Sequence, residues 1–191
     1  MTLTPADPDS PFLPLDAVDV REGHRLRALG LARPVLLRPA EVLAGVHVRP
    51  APALRALAAA AVLGAAALGD DGTLAYRTAA WVHAGGDEPQ VLELATPLGV
   101  HRALPEAARL RQLALPPADV ALAGGVRVTT AARTAADLAR DLPPRHALGW
   151  LDRLRERAGV SAVDVVRQLD MMPTARRVAP ARRLVRAWAA G

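Results

Sequence analysis

The sequence predicts an α+β fold in which short strands pack beneath helices. Short runs of β type, at residues 91–96 and 126–129, alternate along the chain with longer segments whose apolar residues recur at helical spacing. Pro and Gly turns separate these runs. A chain of 191 residues can also build a substantial core, because it buries about 70 per cent of the surface that its unfolded form exposes.

The chain before residue 49 is predicted to be an appendage. Residues 1–15 are rich in Pro and Asp and are predicted to form a flexible lead. In residues 16–48 we expect two short helices followed by two strands. The helices are predicted at 15–18 and 22–29, and the strands at 35–37 and 46–48.

Residues 49–170 are predicted to form the main α+β domain, with most of its boundaries marked by caps or turn residues. Its predicted helices are 52–67, 76–84, 131–141, 144–158 and 161–170, the last capped by Ser161. Its predicted strands are 91–96, 109–115 and 126–129. On the second helix, Trp81 is the largest residue that could anchor the helix to the sheet, so we expect it in the core.

The junction between the last strand and its helix carries the most local information. Thr129 and Thr130 follow the strand, and either of them could cap the amide groups of a helix that begins near Ala131. Within that helix, Arg133 and Asp137 are four residues apart, which predicts an ion pair on the surface.

Positive charge is concentrated at the C-terminus. Residues 1–170 contain 19 Arg and 19 acidic residues, whereas residues 171–191 contain five Arg and no acid. We expect a basic helix or tail here that contacts nucleic-acid phosphate or an acidic partner. The alternative is a solvated helix that docks on the body through Leu184 and Trp188. The five arginines are Arg176, Arg177, Arg182, Arg183 and Arg186.

The composition excludes several catalytic sites in their standard form. All 24 basic residues are Arg, and the chain contains no Cys. A Walker-type phosphate loop and a Schiff-base enzyme both need Lys, as does the usual restriction-like nuclease core. Without Cys there is no disulfide or thiolate metal site, which is compatible with a reducing cytoplasm.

The remaining catalytic residue types do not form recognisable motifs. Ser161 is better placed as a helix cap than as a nucleophile, and the five His show no metal-ligand spacing. The acidic pairs at 70–71 and 87–88 flank Gly in turn sequences. We therefore expect no cofactor and no metal. The apolar run 53–69 contains Arg55 and is too short for a confident membrane span, so we expect it to be a core helix.

Several segments, in this order, resemble the AbiEi-type antitoxins of type IV toxin-antitoxin systems. They are Leu74–Gly86 with its Arg-Thr-Ala-Ala-Trp run, Val91–Pro97, Leu115–Val120, and Val126–Leu142 with its Thr-Thr-Ala-Ala-Arg-Thr run. The resemblance extends over roughly Gly45–Asp170. Tyr76 and Ala131 depart from it, since many relatives carry His and Pro there.

The resemblance implies a degenerate winged helix-turn-helix at residues 16–48 whose second helix enters a DNA major groove. The helix would contact DNA through Arg21, Arg25 and Arg27, and the wing through Arg33 and Arg38. A structural remnant that binds no DNA is the alternative. The family-motif residues are Arg77, Thr78, Trp81, Arg133, Thr134 and Asp137. Arg77, Thr78, Trp81 and His83 would form a recognisable surface that faces DNA or a toxin.

The function that the resemblance implies is that of a cytoplasmic, non-catalytic regulator. It would bind double-stranded operator DNA, repress its own transcription and neutralise a nucleotidyltransferase-like toxin. Many longer relatives continue into a Vsr-like nuclease domain, and we expect this chain to be a form without it. The alternative is a remnant or accessory subunit of such a nuclease-associated protein, with no DNA binding of its own.

Overall fold

The structure is a computed structural model that describes residues 20–36, 42–47, 49, 51–172 and 176–190. The predicted lead at 1–15, the first short helix at 15–18 and Arg38 lie outside these residues. The α+β fold is confirmed, because the described residues contain both helices and a mixed β-sheet.

Eight helices and seven strands occur in the described ranges. The helices are α1 (Val20–Ala28), α2 (Pro52–Leu63), α3 (Ala65–Leu68), α4 (Tyr76–Ala84), α5 (Ala131–Asp141), α6 (Pro144–Ala158), α7 (Ala162–Asp170) and α8 (Val178–Ala190). The strands are β1 (Ala32–Leu36), β2 (Val42–Gly45), β3 (Thr73–Leu74), β4 (Leu92–Thr96), β5 (Ala108–Gln112), β6 (Val120–Ala123) and β7 (Val126–Thr129).

Five strands form the main sheet, in the order β5-β4-β3-β7-β6. The pairs β4–β5 and β3–β7 are parallel, whereas β3–β4 and β6–β7 are antiparallel. Strands β1 and β2 form a separate antiparallel hairpin with an irregularity after Pro34. Because proline cannot donate a ladder hydrogen bond, this irregularity falls where the sequence is least suited to regular pairing.

Successive residues of β4 contribute to two hydrophobic cores, as the twofold alternation of a strand requires. Leu92 and Leu94 pack in a core with α2 and the β1–β2 hairpin. Ala95 packs in a second core with helices α5 to α8. Helix α4 contributes to both cores, so it joins the hairpin side of the molecule to the helical side.

Trp81 lies in the first of these cores with 2% of its surface exposed, which confirms its predicted core position. The run 53–69 is also a core segment, as predicted: Ala56, Ala59 and Leu63 are buried. No helix among the described residues combines the length and the apolar character needed to span a membrane.

Helix boundaries agree closely with the predictions, and strand boundaries agree less well. The predicted helix 52–67 is divided at Gly64, whose φ of +77° ends α2 and starts α3. The predicted strand 109–115 ends earlier, at Gln112. The predicted wing strands at 35–37 and 46–48 are shifted, because the hairpin pairs residues 32–36 with 42–45. Strands β3 and β6 were not predicted.

The described part of the N-terminal region contains one helix and one hairpin. Helix α1 covers most of the predicted second helix, and β1–β2 takes the place of the predicted wing. The winged helix-turn-helix stays a prediction, since its first helix lies outside the described residues.

Candidate functional site

At the junction between β7 and α5, the polar groups form hydrogen bonds with residues that are close in sequence. Thr130 is the residue that caps α5, because its Oγ1 accepts a hydrogen bond from the Arg133 amide at 3.3 Å. The hydroxyls of Thr129 and Thr134 lie 2.7 Å apart, and both residues are fully buried. Thr134 therefore fixes the start of α5 to the end of β7 and is inaccessible to a partner.

Arg133 and Asp137 form an ion pair, but the predicted surface location is wrong. Their side chains are 4% and 0% exposed, and Arg133 Nε donates to Asp137 Oδ2 at 2.8 Å. Arg133 Nη1 also contacts Asp119 Oδ2 at 2.5 Å, and Gln168 Nε2 donates to the other oxygen of Asp119 at 2.7 Å. The sequence showed the spacing of four, but could not show that the 3-10 turn Pro117–Asp119 and α7 cover this face of α5.

A second arginine, Arg140, binds the other carboxylate oxygen of Asp137. Arg140 Nη1 donates to Asp137 Oδ1 at 2.9 Å, so each carboxylate oxygen has a guanidinium partner. Burial lowers the pKa of Arg133, but Asp137 and Asp119 outweigh it, and the net shift of this pKa is upward. Arg133 is thus held as a cation inside the molecule.

A second buried network of ion pairs and hydrogen bonds is centred on the carboxylate of Glu93. Glu93, on β4, is 1% exposed, and Arg111 Nη2 on β5 donates to its Oε1 at 2.7 Å. The Arg77 amide at the start of α4 donates to Oε2 at 3.1 Å, and the Glu93 amide donates to Thr78 Oγ1 at 2.8 Å. Glu93 therefore joins two strands and one helix.

The predicted surface of Arg77, Thr78, Trp81 and His83 is not a continuous surface. Thr78 and Trp81 are buried, whereas the Arg77 side chain is 46% exposed. His83 is mostly covered, with its Nε2 2.7 Å from the Thr129 carbonyl oxygen. Burial lowers the pKa of His83, so the neutral ring is favoured. Of these four residues, Arg77 alone is open to a large ligand.

Arg77 borders a cleft of about 670 Å³ between the loop 87–91 and α6. On the α6 side, the Arg153 guanidinium lies over the Trp150 ring at 5.3 Å and pairs with Asp87 at 3.2 Å. The cleft is lined by Arg77, Asp87, Glu88, Pro89, Gln90, Val91, Leu142, Arg145, His146, Gly149, Trp150 and Arg153. Its mixture of charged and aromatic side chains suits a polar macromolecular surface.

The N-terminal arginines divide into described and undescribed groups. Arg25 and Arg27 are exposed in the last turn of α1, and Arg33 is partly exposed on β1. Arg21 belongs to α1, but its side chain lies outside the described part, as does the whole of Arg38.

The C-terminal basic segment forms α8, which docks on the body. Val185 and Trp188 are buried in the second core, and Trp188 Nε1 donates to Asp152 Oδ1 at 2.8 Å. This docking is the alternative stated for the segment, although the arginines still face outward. Arg182 pairs with Asp170 at 2.5 Å, whereas Arg176, Arg177, Arg183 and Arg186 are exposed and have no carboxylate partner in the described structure.

Glu93, Arg111 and Arg140, which hold the two buried networks together, were not predicted from the sequence. One signal was available for Glu93: a single acidic residue inside the apolar run 91–96 must find a partner when the strand is buried. Its partners could not be predicted, because they depend on the parallel register of β4 and β5, in which Glu93 is aligned with Arg109 and Arg111 is aligned with Ala95.

No three His, Cys, Asp or Glu side chains in the described ranges are arranged so that they could hold a metal ion. Comparison with known protein families and with curated proteins finds no family and no relative that matches the chain.

Proposed function

We propose that the protein is a cytoplasmic, non-catalytic regulator that binds operator DNA and represses its own transcription, as the resemblance to AbiEi-type antitoxins implies. The observation that carries the proposal is the helix–hairpin unit of α1, β1 and β2, with exposed Arg25 and Arg27 on the helix and Arg33 on the first strand. A helix followed by a two-stranded hairpin can place one element in a groove and the other on the phosphate backbone.

The way in which the hairpin is attached supports this proposal. Leu36 and Val42 are buried in the core that contains α2, Leu74 and Val82. Arg33, on a hairpin with such an anchor, is held in a fixed orientation relative to the body, which reduces the ordering cost of binding a duplex.

The buried carboxylates support a non-catalytic role. Both oxygens of Glu93 and of Asp137 are occupied by donors from arginine residues. Asp119 is shared between Arg133 and Gln168. Groups held in this way stabilise the fold, because their oxygens are engaged by neighbouring donors.

A second role, neutralisation of a nucleotidyltransferase-like toxin, rests on the resemblance together with the cleft beside Arg77. The cleft is lined by Trp150 and by two partly exposed arginines, Arg77 and Arg153. Trp and Arg are residue types that are enriched in protein interfaces. It lies on α4 and α6, apart from the proposed DNA-binding unit on α1 and the hairpin.

The DNA-binding proposal can be tested with paired charge variants. The purified full chain carrying both Arg25→Ala and Arg27→Ala would be titrated against a labelled duplex from its own upstream promoter. Loss of two phosphate contacts should lower the slope of log K against log salt concentration by about 2 and weaken binding by at least about tenfold at low salt.

The matched control is the double variant Arg157→Ala and Arg167→Ala, which removes the same charge from exposed positions on α6 and α7. It should retain the affinity and the slope of the unmodified protein. Equal losses in the two double variants would show that net charge alone drives binding, and the helix–hairpin unit would then have no specific role.

A further inference from the structure

A small cavity of about 220 Å³ lies where the start of α4, the end of α5 and the approach to α8 meet. It is separate from the α1–hairpin unit and from the cleft beside α6. Its lining residues are Tyr76, Asp137, Arg140, Asp141, Arg176 and Arg177.

Backbone strain is concentrated in this lining. Among the described non-glycine residues, only Tyr76 and Arg177 have positive φ, at +49° and +63°. A bulky residue in this region is a conformational outlier, and such outliers persist where the surrounding structure holds them and often mark functional sites. The two residues are about a hundred positions apart in sequence and face one cavity.

Tyr76 brings a phenolic hydroxyl to the same place. The residue is 6% exposed, and the Arg111 guanidinium lies 4.5 Å from the centre of its ring. Within the described structure its hydroxyl makes no hydrogen bond. Burial, with a further contribution from Asp137, raises the pKa of Tyr76 to about 12, so the hydroxyl remains a proton donor at neutral pH.

The charges around the cavity favour an anion. Asp137 is neutralised by Arg133 and Arg140, and Asp141 Oδ2 contacts Arg111 Nη2 at 3.1 Å. The guanidinium groups of Arg176 and Arg177 have no carboxylate partner among the described residues, since Arg177 Nη1 reaches only the Asp141 carbonyl oxygen at 3.3 Å.

The connected network has an excess of two positive charges. Four arginines pair with four carboxylates in it, and Arg176 and Arg177 join it through backbone carbonyl oxygens. The arginines are Arg77, Arg111, Arg133, Arg140, Arg176 and Arg177, and the carboxylates are Glu93, Asp119, Asp137 and Asp141. A site with surplus guanidinium groups and a neutral hydroxyl donor has the donors that a tetrahedral oxyanion requires.

We propose that this cavity binds a phosphoryl group, with Arg176 and Arg177 as charged donors and the Tyr76 hydroxyl as a neutral donor. The volume is below the range of about 300–1,000 Å³ that is typical of pockets for whole small-molecule ligands, so it suits a single phosphoryl group. That group comes either from a DNA backbone or from the end of a mononucleotide. The proposal is independent of the α1–hairpin unit.

The test is titration calorimetry of the full chain with inorganic phosphate, against chloride at equal ionic strength. Phosphate should bind to the unmodified protein, and Arg176→Gln should weaken this binding by about tenfold. Tyr76→Phe, which removes one hydroxyl, should weaken it by about fivefold. Arg183→Gln is the matched control, because it removes one exposed charge from α8 outside the cavity and should leave binding unchanged.

The variant Arg177→Gly separates a loss of phosphate binding from a loss of stability. Glycine adopts positive φ without strain, so this variant should unfold at a higher temperature while its phosphate affinity falls. Because it moves stability and binding in opposite directions, loss of binding in this variant cannot be attributed to misfolding.

Competition distinguishes the two sources of the phosphoryl group. If a promoter duplex displaces phosphate and Arg176→Gln weakens duplex binding, the source is the DNA backbone. If adenosine monophosphate displaces phosphate and the duplex does not, the source is a mononucleotide. Absence of phosphate binding by the unmodified protein, or equal affinities in Arg176→Gln and Arg183→Gln, would overturn the proposal. The Arg25 and Arg27 variants should bind phosphate normally.

Discussion

Asp137 illustrates how a sequence signal can identify a contact and misplace its environment. The spacing of Arg133 and Asp137 predicts an ion pair, and the pair exists, but both side chains are buried beneath the turn that carries Asp119. An exposed pair of this kind contributes about 0.3–0.5 kcal/mol. Inside the molecule, the consequence of removing one partner is much greater, because the other charge stays buried with fewer compensating groups.

At this residue we predict that Asp137→Ala lowers the free energy of unfolding by about 3–5 kcal/mol, since it leaves Arg133 with Asp119 as its remaining carboxylate partner. Chemical denaturation monitored by circular dichroism would measure the change. Asp87→Ala is the control: its side chain is 89% exposed and pairs with Arg153 on the surface, so we expect a loss below about 1 kcal/mol. Similar losses in the two variants would contradict the buried network.

Residue-level prediction was successful where a property depends on neighbours in sequence. A cap from the Thr129–Thr130 pair, which the structure assigns to Thr130, Ser161 as a cap and Trp81 in the core are all confirmed. It failed for Glu93 and Arg111, because they meet across neighbouring strands whose register depends on the packing of the whole sheet.

Among the elements, α8 shows that a basic segment can also be part of the core. Its buried residues Val178, Ala181, Val185 and Trp188 follow helical spacing, and the exposed arginines lie between them. The Trp188 ring lies under the Arg155 guanidinium at 4.8 Å and hydrogen-bonds to Asp152. The helix is therefore held to α6 by packing, a hydrogen bond and a cation–π contact.

For this element we predict that Trp188→Ala lowers the free energy of unfolding by about 3 kcal/mol, which is the lower end of the range for truncating a buried large aromatic residue. Arg186→Ala, at an exposed position on the same helix, should change it by less than about 0.5 kcal/mol. Urea denaturation of the full chain measures both variants. If Trp188→Ala is as stable as Arg186→Ala, α8 does not dock as described.

The elements with strong local signals were predictable from the sequence. Helices α4 to α7 begin and end at or within one residue of their predicted boundaries, because caps, prolines and glycines mark them. Strand β3 has two residues and β6 has four, and neither forms without its neighbours in the sheet. Short strands of this kind depend on non-local pairing, which the local pattern of residues does not contain.

On the scale of the whole molecule, the arrangement separates stabilising charges from binding charges. The interior arginines and carboxylates are matched to one another in the networks around Glu93 and Asp137. Exposed arginines lie on α1 and α8, where we assign binding roles, and also on α6 and α7, where Arg157 and Arg167 serve as controls; Arg33 on the hairpin is partly exposed. The paired interior charges stabilise the fold, and exposed arginines such as Arg183 and Arg186, which are unpaired within the described part of the chain, remain available for contact with other macromolecules, which is the function we propose.

The most direct test of this account is the salt-dependent affinity of the full chain for its own promoter, measured by fluorescence anisotropy against a scrambled duplex of equal length, with the DNA recovered afterwards for sizing. We predict tighter binding to the promoter, an affinity that falls steeply as salt rises, and full-length DNA in every sample. Equal affinity for both duplexes, no binding at low salt, or cleaved DNA whose cleavage disappears in Asp137→Asn would contradict it.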